Sequence, residues 1–320
     1  MPEAEPRWYR GDCHVHSVHS DGELTPARLA AAARAAGLDF LAATEHNSVS
    51  AHGAWAACAS QDLLVLRGEE VTTRAGHWLA LGLPPGELVE WDHRVGDRRI
   101  GRCLAQVRAG GGVSVAAHPH APYPGGTFMY PYAGLDVVEV WNGPWTSDRP
   151  WQADNEAALA EWGRSLAEGI DAGRWRPAMG NSDTHLEGQI AVPHTVVRAE
   201  ELSATAVLDA IRTGRSWIAD SAAVELSCTA VADGGRSAGI GERLEAGRDA
   251  VTVRAHLRGV PSGAVSFHTD RGRMHREALP ASGAGSVEWR TGAAEAAFVR
   301  IEVRRPDGAM AALTNPVVLG

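Results

Sequence analysis

The feature that most constrains this chain is a change of texture near residue 222. Before it, short apolar runs alternate with helix-like stretches; after it, only strand-like runs remain. Thr25-Pro26 opens a helix well, because Thr caps and Pro suits the first helical position; the Ala/Arg-rich stretch that follows stops at Gly37. LDFLAATEH, DLLVLRGEEV and HWLALGL then read as strands, IGRCLAQVRAG as a helix, GGVSVAAHPH and LDVVEVWNG as strands, and 152–172 as a longer helix. RPAMGNSDTH, TVVRA, the helical SATAVLDAIRTG and SWIAD complete this half. Strands alternating with helices predict an α/β fold with a parallel sheet, open or closed into a barrel. Past 222, VELSCTAV, AVTVRAHL, GAVSFHTD, GSVEWRT and AAFVRIEVRR are separated by Gly, Pro and Ser turns. They leave no room for a helix of normal length, so residues 222–320 read as a small all-β sandwich behind a first domain of 1–221.

Several function classes are disfavoured by composition. All thirty cations are Arg, which removes any lysine nucleophile or phosphate-binding lysine, and the net charge is −9. An acidic chain without a basic run is a poor phosphate-backbone binder, so nucleic acid is not an expected partner. No apolar run approaches the roughly 20 residues of a membrane span, and MPEAEPRWYR lacks the pattern of a secretory leader; the expected location is cytoplasmic. Cys13, Cys58, Cys103 and Cys228 form no CxxC pair and read as reduced structural thiols. The oligomeric state is not legible.

Histidine carries the functional signal. Eleven of the fourteen precede residue 200, several beside carboxylates at the ends of strand-like runs: DCHVH, TEHN, GEEV, AHPH and GNSDTH. In parallel α/β folds chemistry collects at the C-terminal strand ends. His14 and His16 are two apart on one strand and share a face, and Asp183 and His185 repeat that spacing. If the sheet closes, the two pairs become neighbours. With His46, Glu70, His77 and His118 they form a set suited to zinc, manganese or iron. So many carboxylates and imidazoles point to several metals rather than one, because a carboxylate bridges. Such sites make a hydroxide nucleophile at neutral pH.

DCHVHSVHSDG at 12–22, TEHN at 44–47, AHP at 117–119 and SDTH at 182–185 resemble, in order and spacing, the four motifs of the PHP (polymerase and histidinol phosphatase) superfamily. The resemblance covers about residues 8–220. The ending ALTNPVVL at 312–319 is similar to that of the carbaryl-hydrolase-like PHP metallohydrolases, which commonly end in a small β domain. The resemblance implies a distorted (β/α)7 barrel with three divalent metal ions. Carried over motif by motif, His14, His16, Glu70 and Asp183 would hold the first. Glu70, His77 and His118 would hold the second, and Asp21, His46 and His185 the third. Glu70 is preferred to Glu69 because it precedes β-branched Val71. Asp183, or a metal-bound water, would move the proton.

Other positions carry weaker signals. His19 lies inside the first motif and reads as a loop or site-facing residue. His120 shares the face of His118 only if the strand survives Pro119. Trp141, Asn142 and Trp145 follow a strand end where substrate contacts collect. Glu139 is a candidate partner for a ligating His, and Arg74 and Arg149 are candidate anion clamps. His52, His93 and His194 read as structural, and His256, His268 and His275 as remote. The expectation is a metal-dependent hydrolase acting on a small phosphate ester. A carboxylic or carbamic ester hydrolase, a metal-binding regulatory module and a nucleic-acid-processing PHP domain are the alternatives.

Overall fold

The computed structural model describes residues 5–320; the first four residues of the segment read for a leader lie outside them. The first half runs β1 (Arg7–Asp12), α1 (Pro26–Ala35), β2 (Phe40–Ala43), α2 (His52–Ala56), β3 (Leu64–Thr73), β4 (Gly76–Leu81), α3 (Arg99–Ala109), β5 (Val113–Ala116), β6 (Val137–Asn142), α4 (Asn155–Gly169), β7 (Ala178–Asn181), β8 (His194–Ala199), α5 (Ala204–Arg212) and β9 (Ser216–Ala219). The second half contributes β10 (Glu225–Ala232), β11 (Ser237–Gly239), β12 (Arg243–Leu244), β13 (Ala250–Arg258), β14 (Ala264–Thr269), β15 (Gly272–Ala278), β16 (Gly285–Gly292), β17 (Phe298–Arg304), β18 (Met310–Thr314) and β19 (Val317–Leu319). Thr25 caps α1 by accepting from the Arg28 amide, and Ser203 caps α5 in the same way.

Strands β1 to β7 lie side by side in chain order and curl. The curl brings the chain beyond β1 against the chain beyond β7: Val15 and Thr184 form a parallel bridge, and the His16 amide donates to the Thr184 carbonyl at 3.1 Å. The sheet is mixed rather than parallel. Pairing is parallel for β1–β2–β3 and β5–β6–β7, but β4 is antiparallel to both its neighbours. The cause is the Arg74-Ala75 connection, far too short for the crossover that parallel strands require. The connection from β5 to β6 also lacks a helix, so the β/α alternation is partial. Its core is apolar on both faces, with Phe40, Leu66, Leu79, Val115 and Val197 in one cluster and Val71, Trp78, Leu104 and Val107 in another.

In the strand-only half, β11-β10-β13-β16 form a four-stranded sheet. Buried and exposed positions alternate along β10 and β13, as one-sided strands require. Their inward side chains pack on Val265, Phe267, Val299, Ile301 and Val303 of β14 and β17. That opposing layer is continuous with the first half, because β18 pairs antiparallel with β9. The division at 221 is therefore crossed by a hydrogen-bonded sheet. It is also crossed by a shared core, in which Leu159, Trp162 and Leu166 of α4 meet Phe298, Met310, Leu313 and Val318. The four cysteines are unpaired. Among the described residues no helix is long and apolar enough to cross a membrane.

Candidate metal centre

Closure of the curled sheet decides where the histidines go. Beyond β1, His14 and His16 point to one face and are fully buried. The Asp12 carboxylate below them accepts from the Ser182 and Ala191 amides at 3.1 and 2.9 Å, tying this segment to the chain after β7. The chain then turns back at Ser17–Gly22. A Cβ at Gly22 would strike the His16 carbonyl, so Gly is required for a turn tight enough to bring Asp21 back to the cluster. Beyond β2, the His46 segment pairs with Glu70 of β3.

Four buried polar atoms converge without a well-directed hydrogen bond, His14 Nε2, His16 Nε2, Glu70 Oε2 and Asp183 Oδ1, with His46 Nδ1 also 2.8 Å from Glu70 Oε2. Each imidazole nitrogen stands 3.3 Å from Glu70 Oε2 and 3.2 Å from Asp183 Oδ1. Ligand bonds of about 2.0–2.1 Å in a tetrahedral array place neighbouring donors about 3.3 Å apart. Orphaned buried donors and acceptors are costly unless something fills the point they share, so this set fits a divalent cation. Glu70 Oε1 faces a second group, with His77 Nδ1 at 2.9 Å and His118 Nε2 at 3.1 Å. Asp21 collects a third, with His185 Nε2 at 3.2 Å and His46 Nε2 at 3.4 Å. The third group is the open one, since the Asp21 side chain is 57 % exposed against 0 % for Glu70. Within each of four overlapping His/Asp/Glu groupings in this cluster the ligand atoms lie within 4.8 Å of one another.

The electrostatics are those of a dense carboxylate–imidazole lattice. Burial opposes ionisation of Glu70, but His46, His14 and His77 outweigh it and hold the carboxyl well below its usual range. Asp183 is depressed likewise, burial being overcome by His14, His16 and His118. Conversely, burial works against charge on His46, yet Glu70 and Asp21 raise its imidazolium to about 10. His185 rises to about 9 through Asp21 and Asp183 against the same burial. His118 and Asp183 adopt positive φ, at 26° and 51°, as does Asn47 beside His46, at 46°. Non-glycine residues held there carry strain that clusters at working sites.

Glu139, inside β6, is fully buried and surrounded by donors. His14 Nδ1 and Asn181 Nδ2 reach its Oε1 at 3.1 and 2.8 Å; the His118 amide and Asn142 Nδ2 reach its Oε2 at 2.8 and 3.1 Å. This carboxylate fixes the His14 tautomer with Nδ1 protonated, leaving the Nε2 lone pair aimed at the cluster. Glu69 points to the other face of β3, where it accepts from the Val89 amide, and burial pushes its carboxyl up to about 7.

A cavity of about 510 Å³ opens over the cluster. Asn142 and Arg149 line it; five other expected contacts, His19, Arg74, His120, Trp141 and Trp145, do not. His19 is exposed on the Ser17–Gly22 turn, and Arg74 is exposed on the β3–β4 turn. The strand ends at Ala116, before Pro119, so His120 turns away and pairs with Glu161 at 2.8 Å. Trp141 is core, packed edge-on against Trp145 and donating to the Gly143 carbonyl. His52 Nε2 donates to the Gly68 carbonyl at 3.1 Å and His194 contacts Arg10; neither lines the cavity. His93 and the three histidines of the second half are likewise absent from its wall. Sequence reasoning missed Tyr123, Trp151, Gln152 and Gln189, which sit on loops without periodicity, and Thr72, whose i+2 relation to Glu70 was a usable signal.

No family model matches the chain, and no curated protein matches it. Among solved structures, it is similar to a two-domain protein from Bacteroides vulgatus containing a predicted PHP-like metal-dependent phosphoesterase. The TM-score is 0.53 at 17 % identity, over 99 % of this chain and 97 % of the other. That likeness places the two-part fold, end to end, beside a known one. A candidate metal-dependent phosphoesterase from Bifidobacterium adolescentis matches with a TM-score of 0.39 at 21 % identity, over 57 % of this chain and 89 % of that one. An amidohydrolase from Chromobacterium violaceum with bound sulfate and no metal gives 0.40 at 20 %, over 56 % and 89 %.

Proposed function

We propose that this protein is a metal-dependent hydrolase of small phosphate esters, a PHP-type enzyme close to the carbaryl-hydrolase-like subgroup. A distorted barrel of the (β/α)7 type would be built from β1 to β7, with the strand-only half as a second domain. The observation that carries the reading is the convergence of four buried atoms without a well-directed hydrogen bond, from His14, His16, Glu70 and Asp183, under an open cavity. Two further groups, Glu70–His77–His118 and Asp21–His46–His185, give room for three ions of manganese, zinc or iron. The two-domain fold neighbour is described as containing a predicted PHP-like metal-dependent phosphoesterase, which supports the same class.

Divalent ions, when bound, lower the pKa of an attacking water and polarise the ester oxygens. The chain's own residues do the rest. Glu139 holds His14 in one tautomer and one orientation. Asn142 Nδ2 donates to Asp183 Oδ2 at 3.2 Å, fixing that carboxylate at the cavity floor. There Asp183 takes the proton of the water whose oxygen bonds to phosphorus. The ester P–O bond breaks, and Asp183 returns the proton to the departing alcohol. Arg149 on the cavity wall supplies positive charge that no lysine can provide in this sequence.

The test compares 4-nitrophenyl phosphate with 4-nitrophenyl acetate, using manganese- or zinc-loaded protein and each uncatalysed rate as reference. The phosphate is expected to be accelerated more, and Asp183→Ala to abolish turnover with the fold intact by circular dichroism. Faster acetate cleavage would replace the reading with a carboxylic or carbamic esterase. No metal-stimulated hydrolysis at all would leave a metal-binding regulatory module.

A further inference from the structure

The loop between β6 and α4 is pinned to the metal cluster and carries a large exposed aromatic over it. Asn155, almost fully buried, accepts from the Asn142 amide at 2.9 Å and donates to the Asn142 and Pro144 carbonyls, both at 3.2 Å. Gln152 donates to the Asn142 carbonyl at 2.7 Å. The segment 143–154 is thus bound at both ends to the residue that contacts Asp183 and Glu139. Its tip presents Trp151, 57 % exposed, with the Arg149 guanidinium 6.0 Å from the ring centroid. Both line the cavity. Among the described residues no carboxylate pairs with Arg149. The remaining wall includes Ala121, Pro144, Ala153 and Leu186, an apolar surface with no metal-binding use.

An exposed indole at a pocket mouth is unfavourable for the free protein and favourable once a flat ring covers it. An unpaired guanidinium beside it suits a phosphate oxygen, which it binds bidentately. We propose that the substrate is a phosphate monoester whose alcohol carries a planar ring, stacked on Trp151 with its phosphate drawn in by Arg149. The inference rests on the phosphoesterase reading and adds a ring-recognition site that the cluster itself does not require.

Adenosine 5′-monophosphate and ribose 5-phosphate test it, because they share the scissile ester and differ by one planar base. In metal-loaded protein the ratio of kcat/KM values should favour the nucleotide. It should fall about tenfold in Trp151→Ala, in line with base–aromatic stacking, and recover in Trp151→Phe. Metal-free protein provides a second readout: calorimetry should show the nucleotide binding more tightly than the sugar phosphate, with the margin lost in Trp151→Ala. Trp151 is exposed, so its replacement does not threaten the core. An unchanged ratio and an unchanged margin in Trp151→Ala overturn the proposal, as does wild-type protein that binds neither ligand. A binding margin that depends on Trp151, in protein that hydrolyses neither ester, upholds ring recognition and overturns the phosphoesterase reading instead.

Discussion

Glu139→Gln is the most informative single substitution, because its consequences are set by geometry. The carboxylate meets two donors at each oxygen: His14 Nδ1 and Asn181 Nδ2 at one, the His118 amide and Asn142 Nδ2 at the other. A glutamine amide has one acceptor oxygen and one NH2, so whichever way it turns, two N–H groups face an N–H group. Each buried donor left without an acceptor costs about 1–3 kcal/mol. Relaxation recovers part of this, and we expect a loss of about 2–4 kcal/mol in metal-free stability. The effect on the cluster is separate: His14 loses the partner that fixes its tautomer and sharpens its basicity. Replacing such a partner typically weakens metal binding about 10- to 100-fold, or about 1.4–2.7 kcal/mol. Competition for zinc against a chromogenic chelator measures it, with denaturant unfolding reporting the fold. Glu69→Gln is the matched control, a neighbouring buried carboxylate on the opposite strand face, and should leave zinc affinity unchanged. Wild-type zinc affinity in Glu139→Gln, or an equal loss in Glu69→Gln, would refute the reasoning.

Three further outcomes are expected. Asp21→Asn should lower bound metal by about one ion per chain in elemental analysis while the other groups stay loaded, since an amide is a poorer ligand than a carboxylate for a hard cation. Asn315→Ala should cost about 2–4 kcal/mol in denaturant unfolding: this buried side chain accepts from the Ala178 amide at 2.7 Å and donates to the Ala178 and Ser216 carbonyls, each at 3.0 Å. By the same contacts and the shared α4 core, a chain ending at 221 should lose cooperative unfolding. His194 gives an acid limb: burial, then Arg10, holds its imidazole down to about 4. The folded state keeps it neutral while the unfolded chain takes up a proton below about pH 6.5, so stability falls as pH drops. Between pH 6.5 and 5 the loss is about 1.6 kcal/mol, and His194→Gln should flatten that part of the slope.

The strands and helices of the first half were legible because each carries its own period and its own stop. Thr25-Pro26 and Gly37 bracket α1, and the apolar runs of β2, β5, β6 and β7 fall within the segments read as strands. The spacing of His14 with His16, and of Asp183 with His185, required only that the sheet curl; the Val15–Thr184 bridge then sets the pairs face to face. The direction of β4 was missed because alternation of runs does not report the length of the turn between them. His120 and Trp141 fall outside the cavity for a related reason. Proximity in sequence to a strand end does not say which way a side chain turns once Pro119 breaks the strand or an indole finds Trp145. Tyr123 and Trp151 lie on loops whose paths are fixed by long-range hydrogen bonds, such as those of Asn155, which no local pattern encodes.

The strand-only half contributes no residue to the cavity wall among those described, yet it is connected to the site through α4. Arg304 of β17 reaches Glu156, in the first turn of that helix, with both guanidinium nitrogens, and Glu156 also accepts from Trp145 Nε1 at 3.0 Å. One residue earlier, Asn155 holds the Asn142 backbone, and Asn142 holds Asp183 and Glu139. The route is therefore short and polar: β17 to Glu156, along one helical residue to Asn155, and from there to two carboxylates of the centre. Arg304 also bonds Glu302, which pairs with the buried Arg300, so the anchoring charge is itself held from behind. A surface ion pair would contribute little to such a path, since solvent screens it. Here Arg304 is 28 % exposed but Glu156 is 57 % exposed, so the ion pair itself adds little and the packing of the guanidinium over the Trp145 ring carries the contact. The second half thus braces the start of α4 through the Trp145 contact and the shared core, and through it the loop that carries Arg149 and Trp151 over the His/Asp/Glu cluster.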